Sequence, residues 1–175
     1  EFASSHVMEQ LRFVKKVKLP PNFVPVEDLL CEPHVGFVMK RVIDHESLDA
    51  YLLPDPRLPF HKWYNKEKGF LCRLFLGRMI ATAFEKLESE NLSYCDISGK
   101  NILVRTKNKV SVQMIDIDNI YVAGRGNPSV LGTPRYIAPE VVKGLNTPDI
   151  FSDNYSLAVI IYELLRVGHP YISDE

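Results

Sequence analysis

Cysteine is scarce in this chain of 175 residues, which contains only three: Cys31, Cys72 and Cys95. They lie far apart, and no two of them form a C-x-x-C pair. The sequence therefore predicts neither a disulfide framework nor a zinc site. Reduced thiols are typical of a cytoplasmic protein, and cytoplasmic is the localisation that we expect.

Long apolar runs and an excess of charge of one sign are also absent. No stretch reaches the roughly 18 consecutive apolar residues of a membrane-spanning helix, and no signal peptide is visible at the start. The net charge of -1 gives no electrostatic argument for nucleic acid or an anionic membrane as a partner. With 46% hydrophobic residues, the composition predicts a globular chain that can bury a sizeable core.

Apolar residues recur at helical spacing in three segments of the chain. They predict helices over residues 4–16, from a cap at Asn65 to about residue 89, and over residues 154–167. The last segment is apolar on nearly every side, so we expect that helix to be buried all round. In the long middle helix, the stripe expected to face the core consists of Phe70, Leu71, Leu74, Phe75, Ile80, Phe84 and Leu87.

Short apolar segments between these helices predict β-strands. They cover residues 26–30, 35–39, 102–105 and 110–115, and residues 47–53 predict a short helical segment. Residues 119–134 contain three glycines and predict a surface loop. Because strands and helices do not alternate as βαβ units, the predicted class is α+β and not a doubly wound sheet.

Polar residues cluster around the predicted hairpin of residues 102–115. Asp96 and Asn101 precede its first strand, and Asp116 and Asp118 follow its second strand. Carboxylate and amide oxygens placed together in this way can hold a divalent metal ion and orient a hydroxyl group. Any one of these residues alone is more often a turn residue that bonds its own backbone. Their combination favours a functional site.

These motifs, read in order, resemble the eukaryotic-type protein kinase family. The resemblance runs from about Met8 to Tyr171 and includes residues 132–140, which read GTPRYIAPE and match the end of a kinase activation segment. It is strongest to a divergent bacterial group of serine/threonine protein kinase-like proteins, whose catalytic loop lacks the usual His-Arg pair before the aspartate.

The resemblance implies a protein kinase-like α+β fold, mainly the helical large lobe. Residues 1–39 would be a remnant of the small lobe, with a helix and two strands. Residues 40–175 would be a partial large lobe with the catalytic loop, the metal loop and the activation segment. The chain is accordingly expected to be truncated at both ends.

The resemblance also assigns roles to the polar cluster. Asp96 would be the catalytic carboxylate that orients the substrate hydroxyl, and Asn101 and Asp116 would be the magnesium ligands. Thr133 would hydrogen-bond Asp96 and help to shape the substrate platform. Asp153 would hydrogen-bond backbone N–H groups of the catalytic loop, beyond acting as a helix cap.

Nucleotide contacts are implied in the same way. Met39 would lie at the back of the adenine pocket, backbone groups of Lys40, Arg41 and Val42 would bond the adenine edge, and Leu103 would form the pocket floor. An apolar slot with a few backbone donors is the usual form of a nucleotide site. Met39 and Leu103 also fit a purely structural place in the core.

Three further positions are implied near the phosphates. Ser98 occupies the place of the lysine that usually neutralises the γ-phosphate, and Lys100 lies nearby in the sequence. Glu9 would be the helix glutamate that pairs with the nucleotide-binding lysine, although an exposed glutamate on a helix is more often a solvated residue.

The chain also departs from the family pattern. Tyr94 and Cys95 replace His-Arg, Ile117 and Asp118 replace Phe-Gly, and neither a G-x-G-x-x-G loop nor a V-A-x-K strand precedes Glu9. Those missing elements normally cover and neutralise the phosphates. We therefore expect the isolated chain to be nearly inactive.

Three functions are compatible with these residues. The first is phosphoryl transfer from ATP, with Mg²⁺, to serine or threonine of a protein substrate by the parent protein. The alternative is a pseudokinase or scaffold that binds partners, with or without nucleotide, and does not catalyse phosphoryl transfer. A kinase acting on a small molecule is disfavoured, because the GTPRYIAPE segment builds a ledge for peptides. The oligomeric state stays open.

Overall fold

The structure is a computed structural model that describes residues 2–31, 33–65, 69–122 and 132–172. Helices and small antiparallel sheets make an α+β fold, as predicted. The helices are α1 Phe2–Lys16, α2 Asp49–Leu52, α3 Phe60–Asn65, α4 Phe70–Ser89, α5 Pro139–Val142 and α6 Ile150–Arg166. The strands are β1 Val26–Leu30, β2 Gly36–Met39, β3 Glu46–Ser47, β4 Leu92–Ser93, β5 Ile102–Arg105, β6 Ser111–Met114 and β7 Tyr121–Val122.

The strands form three small sheets, and every strand pair is antiparallel. β1 pairs with β2, β5 lies between β3 and β6, and β4 pairs with β7. The β1–β2 and β5–β6 hairpins confirm the strands predicted from the sequence. The β4–β7 pair was not predicted, and residues 123–131 of the predicted surface loop lie outside the described residues.

One hydrophobic cluster runs through the described structure, from Val14 on α1 to Leu164 on α6. Near its centre the ring of Phe23 packs edge-on against Phe84, with ring centroids 5.7 Å apart, and Phe84 packs in the same way against Tyr94 at 5.6 Å. These contacts tie the segment before β1 to α4 and to the polar loop at residue 96. The division at residue 39 stays a prediction.

The first half of α4 differs from the prediction. Asn65 ends the separate helix α3, and α4 begins at Phe70 after an extended Gly69. Ile80, Phe84 and Leu87 are buried as predicted. The predicted stripe is wrong for Phe70, Leu71, Leu74 and Phe75, which are all exposed.

Arg73 explains why that stripe lies outside. Its guanidinium is fully buried and donates to the carbonyl oxygens of Tyr51 at 2.5 Å and Leu164 at 2.8 Å. It also lies 4.8 Å from the ring centroid of Trp63. These contacts turn the Arg73 side of α4 inward, so the apolar side chains beside it face outward.

The sequence predicted that α6 would be buried on every side, and this was wrong. The helix is amphipathic, like α4. It begins with a capping box in which Asp149 and Ser152 each accept a hydrogen bond from the other's backbone N–H. Its buried face includes the polar Asp153 and Glu163, whereas Phe151 is 78% exposed. Among the described residues, no helix is long and apolar enough to cross a membrane.

Candidate active site

Asp96 stands at the centre of a hydrogen-bonded group in the loop before β5. Thr133 Oγ1 donates to Asp96 Oδ1 at 2.6 Å. Asn101 Nδ2 donates to the Asp96 carbonyl at 3.0 Å and to Oδ2 at 3.3 Å. Asn101 is buried and Asp96 is partly exposed. The structure therefore holds both carboxylate oxygens of Asp96 in a fixed orientation at the surface of the loop.

Asp153 on α6 accepts hydrogen bonds from this loop, as the sequence predicted, and we call this contact the Asp153 brace. Its carboxylate accepts hydrogen bonds from the hydroxyl of Ser93 at 2.8 Å and from the backbone N–H groups of Tyr94 at 2.6 Å and Cys95 at 2.8 Å. Cys95 has a left-handed backbone with a φ of 69°, which costs about 1–2 kcal/mol for a residue with a Cβ. The brace therefore holds a strained backbone directly before Asp96.

Burial raises the pKa of Asp153 to about 6, and the three hydrogen bonds that it accepts limit the rise. These donors fit the ionised carboxylate, because each of its oxygens can only accept. The brace is therefore fully formed at neutral pH.

Tyr94 links the loop that contains Asp96 to the segment that follows β6. Its ring is fully buried, and its hydroxyl donates to the carbonyl oxygen of Ile115. Burial raises the pKa of Tyr94 well above its ordinary value, and the nearby charge of Asp116 adds to the rise. The sequence identified Tyr94 only as a departure from His-Arg. In the structure its hydroxyl connects the loop of Asp96 to the loop of Asp116.

Asp116 and Asp118 form a pair of carboxylates beside this contact. Burial raises the pKa of Asp116 to about 6, and Asp118 and then Asp96 add repulsion. Asp118 Oδ1 is buried and receives no hydrogen bond from any residue that the structure describes. Two crowded oxygen acceptors with an unused lone pair suit a hard divalent cation.

No group of three or more His, Cys, Asp or Glu side chains within the described ranges could hold a metal ion by itself. The side-chain oxygen atoms available near this place are those of Asp116 and Asp118, with the neutral amide of Asn101 on the adjoining loop. An ion here would need further oxygen ligands from a bound substrate or from water.

Gly132, directly before Thr133, lies against the loop that contains Asp96. Its φ is 103°, and a Cβ at this position would lie 2.8 Å from the carbonyl oxygen of Cys95. Neither the conformation nor the space admits a side chain. The glycine therefore permits the close approach that places Thr133 against Asp96.

Glu163 on α6 anchors the rest of that segment. Its side chain is 3% exposed and accepts hydrogen bonds from Arg135 Nε at 2.8 Å and from the Tyr136 hydroxyl at 2.8 Å. Sequence reasoning missed this residue, because α6 was expected to be an apolar helix. A lone glutamate within the largely apolar second half of α6 was the available signal.

The predicted hinge residues border a cleft of about 350 Å³. Lys40, Arg41 and Val42 line it together with Phe23 and Gln113. Met39 and Leu103, which the sequence placed at the back and floor of the adenine slot, are half-buried and do not line this cleft. The assignment of these five residues to a nucleotide stays a prediction.

Three predicted site residues remain: Ser98, Lys100 and Glu9. Ser98 is buried, at 4% exposure, and Lys100 is exposed. Burial raises the pKa of Asp49, and the charge of Lys100 opposes that rise, so Lys100 acts on the start of α2. Glu9 is exposed on α1, whereas the half-buried Gln10 beside it reaches the loop of Asp118.

Comparison with known proteins finds similarity to protein kinases over nearly the whole chain. A family model described as the protein kinase domain matches residues 3–175. The chain is 29% identical, over 94% of its length, to serine/threonine-protein kinase dkf-2 of Caenorhabditis briggsae. It is 33% identical over 89% to serine/threonine-protein kinase D3 of Homo sapiens, and 25% identical over 88% to a probable serine/threonine-protein kinase of Clostridium perfringens. The chain spans 15%, 17% and 21% of the lengths of these relatives.

Proposed function

The chain belongs to the protein kinase domain family, and on that premise we propose that it contains the phosphoryl-transfer site of a serine/threonine protein kinase that uses ATP and Mg²⁺. The observation that supports this most is the contact of Thr133 and Asn101 with the two carboxylate oxygens of Asp96. Such a carboxylate is held ready to accept one further hydrogen bond in a defined direction.

Asp96 would accept the hydrogen bond of the incoming serine or threonine hydroxyl and so direct its oxygen toward the phosphate. Thr133 and Asn101 fix the carboxylate, and Asp153 fixes the backbone from which it projects. Positioning of this kind removes much of the entropic part of the barrier, because the reacting groups no longer have to find their alignment.

Asn101 and Asp116 would hold Mg²⁺, and the crowded carboxylates Asp116 and Asp118 fit such a group. Bound Mg²⁺ supplies neutralisation of the charge on the transferred phosphoryl group. The cleft beside Lys40, Arg41 and Val42 is the part of the described surface that we assign to the nucleotide base.

A protein substrate is favoured over a small molecule. Residues 132–140 are held on α6 by Glu163 and on the Asp96 loop by Thr133, so they form a fixed ledge next to the proposed hydroxyl site. The relatives named above are serine/threonine-protein kinases, which agrees with a peptide bound along this ledge.

Binding of Mg²⁺ and ATP gives the first test. We expect ATP to raise the melting temperature of the chain by several degrees only when Mg²⁺ is present, and Asp116→Asn to abolish the rise. Asp28→Asn, an exposed aspartate outside the site, is the matched control. An equal rise without Mg²⁺, or in Asp116→Asn, would contradict the assignment of Asp116.

Phosphoryl transfer gives the second test, with labelled ATP and a mixture of serine- and threonine-containing peptides. In the natural protein we expect Asp96→Asn to lower the rate by about 10²- to 10⁴-fold. The chain of 175 residues alone should stay near background. Robust transfer by Asp96→Asn would sink the proposed role of Asp96.

A pseudokinase is the second candidate, and the surroundings of Ser98 favour it. Ser98 carries no charge, and the charge of Lys100 acts on Asp49 at the start of α2. A scaffold of this kind would bind partners with no dependence on Asp96. If the natural protein shows neither Mg²⁺-dependent ATP binding nor transfer, while remaining folded, this second function replaces the first.

A further inference from the structure

Gln10 joins helix α1 to the loop that contains Asp116 and Asp118. Its side-chain Nε2 donates to the carbonyl oxygen of Asp118 at 2.9 Å and to that of Ile120 at 2.8 Å. A side-chain amide nitrogen has two donors, and both are used here. We propose that Gln10 is a positioning residue, which holds residues 116–120 in the conformation that presents the Asp116 and Asp118 carboxylates.

The loop needs such a contact because its own conformation is unfavourable. Asp116 has a φ of 60°, in the left-handed region where a side chain costs free energy. The hydrogen bonds from Gln10 to the carbonyls of Asp118 and Ile120 help to hold this unfavourable conformation, since they fix the backbone on either side of Asn119.

Helix α1 is itself well anchored where Gln10 projects from it. Leu11 and Val14, on the neighbouring positions of the helix, are 2% and 1% exposed and pack inside the protein. Gln10 therefore connects a well-packed helix to a strained loop and limits the movement of that loop. Coupling of this kind is reciprocal, so whatever orders the loop also orders α1.

The positional role stands on these contacts alone, and only its consequence for the metal ion rests on the proposed function. Two experiments keep these parts separate. The first needs no nucleotide and no metal ion. The second measures metal binding directly, with no dependence on phosphoryl transfer.

The first experiment is hydrogen exchange of residues 115–122 in the free chain. Gln10→Met has a similar length but no donor, and we expect its loop amides to exchange about tenfold faster, as the loss of two hydrogen bonds implies. Gln10→Lys keeps a donor and should restore most of the protection. Arg12→Met, on the exposed side of α1, should match the natural sequence.

Two outcomes would overturn the proposal. One is unchanged exchange in Gln10→Met. The other is an equal rise in Gln10→Met and Gln10→Lys, which would show that packing of the side chain, and not hydrogen-bond donation, orders the loop. If circular dichroism shows that Gln10→Met is unfolded, the shorter Gln10→Asn replaces it, with the same expected rise in loop exchange.

The second experiment measures binding of Mn²⁺ alone, from the signal of the free ion in electron paramagnetic resonance. We expect Gln10→Met to weaken Mn²⁺ binding about tenfold and Arg12→Met to leave it unchanged. Equal affinity of Gln10→Met and the natural sequence would overturn the link between Gln10 and the metal. Absence of Mn²⁺ binding by the natural sequence would contradict the proposed metal ligands Asn101 and Asp116, whereas the exchange experiment would still decide the positional role.

Discussion

At the residue scale, the candidate site depends on two strained backbone positions. Cys95 and Asp116 both have left-handed φ angles, although neither is glycine. Each precedes or carries a proposed functional carboxylate, and each is held by contacts from elsewhere in the chain. Conformations of this kind persist only where the surroundings over-determine them. The residues that supply those contacts, Asp153 and Gln10, are therefore as important to the site as the carboxylates.

Removal of the Asp153 brace should be costly. Asp153→Ala leaves two backbone N–H groups and the Ser93 hydroxyl without their acceptor in a buried place. We expect the free energy of unfolding, measured in urea, to fall by about 3 kcal/mol. Asp28→Ala removes an exposed aspartate paired with Lys15 and should cost much less, because an exposed ion pair contributes little. Equal losses in the two variants would contradict the brace.

The titration of Asp153 gives a pH-dependent prediction. Its pKa in the folded chain is about 6, above the ordinary value of 3.8, so the folded chain binds more protons than the unfolded chain between these values. The contribution of Asp153 to stability therefore falls as the pH rises from about 4 to about 6 and is constant above that.

Urea unfolding of the natural sequence and of Asp153→Ala at several pH values measures this contribution. The difference in unfolding free energy between the two should narrow from pH 4 to pH 6. A difference that widens over this range would show that the three hydrogen bonds outweigh burial and that the pKa is lowered.

At the element scale, Arg73 joins four helices. It projects from α4, donates to backbone carbonyls on α2 and α6, and lies against the Trp63 and Tyr64 rings of α3. A guanidinium suits this place, because it has several donors in one plane and a flat face for aromatic rings. Arg73 thereby sets which side of α4 faces the core.

Replacement of Arg73 should lower the free energy of unfolding of the chain. Arg73→Met keeps an extended apolar side chain but leaves the carbonyls of Tyr51 and Leu164 without this donor. We expect a loss of about 2–4 kcal/mol in unfolding free energy. Arg78→Met, at an exposed position of the same helix, should change it by less than about 0.5 kcal/mol. A small effect of Arg73→Met would show that packing alone orients α4.

Most elements could be predicted from the sequence, because apolar periodicity and motifs are local signals. The sequence placed α1, α6 and the β5–β6 hairpin correctly, and it put Thr133 in contact with Asp96. It misplaced the buried side of α4, because a buried arginine reads as a surface residue. It also missed the two-residue β4–β7 pair and the contacts of Gln10, since these depend on residues distant in the chain.

At the scale of the whole molecule, a groove of about 690 Å³ lies between α4 and α6. Its lining includes Leu71, Leu74 and Phe75 from α4 and Ile161 and Leu165 from α6. The α4 side chains among them are exposed because Arg73 turns the opposite side of α4 inward. Contiguous apolar surface of this kind promotes association of protein molecules in water.

We expect the chain to self-associate as its concentration rises, as measured by sedimentation velocity. Leu74→Asp, inside the groove, should lower the associated fraction several-fold. Leu145→Asp, which also replaces an exposed leucine but lies outside the groove, should leave it nearly unchanged. Equal effects of the two changes would mean that added charge, and not the groove, controls association.

The Asp153 brace also has a consequence for the order of folding. It joins residues 58 to 60 positions apart in the chain, so the entropy of closing a long loop opposes its formation. The left-handed Cys95 cannot be held until α6 has docked, and the loop of Asp96 should therefore be among the last parts to become ordered. Pulse-labelling hydrogen exchange during refolding would reveal this as protection of Tyr94 and Cys95 amides only after those of α6; earlier protection would contradict it.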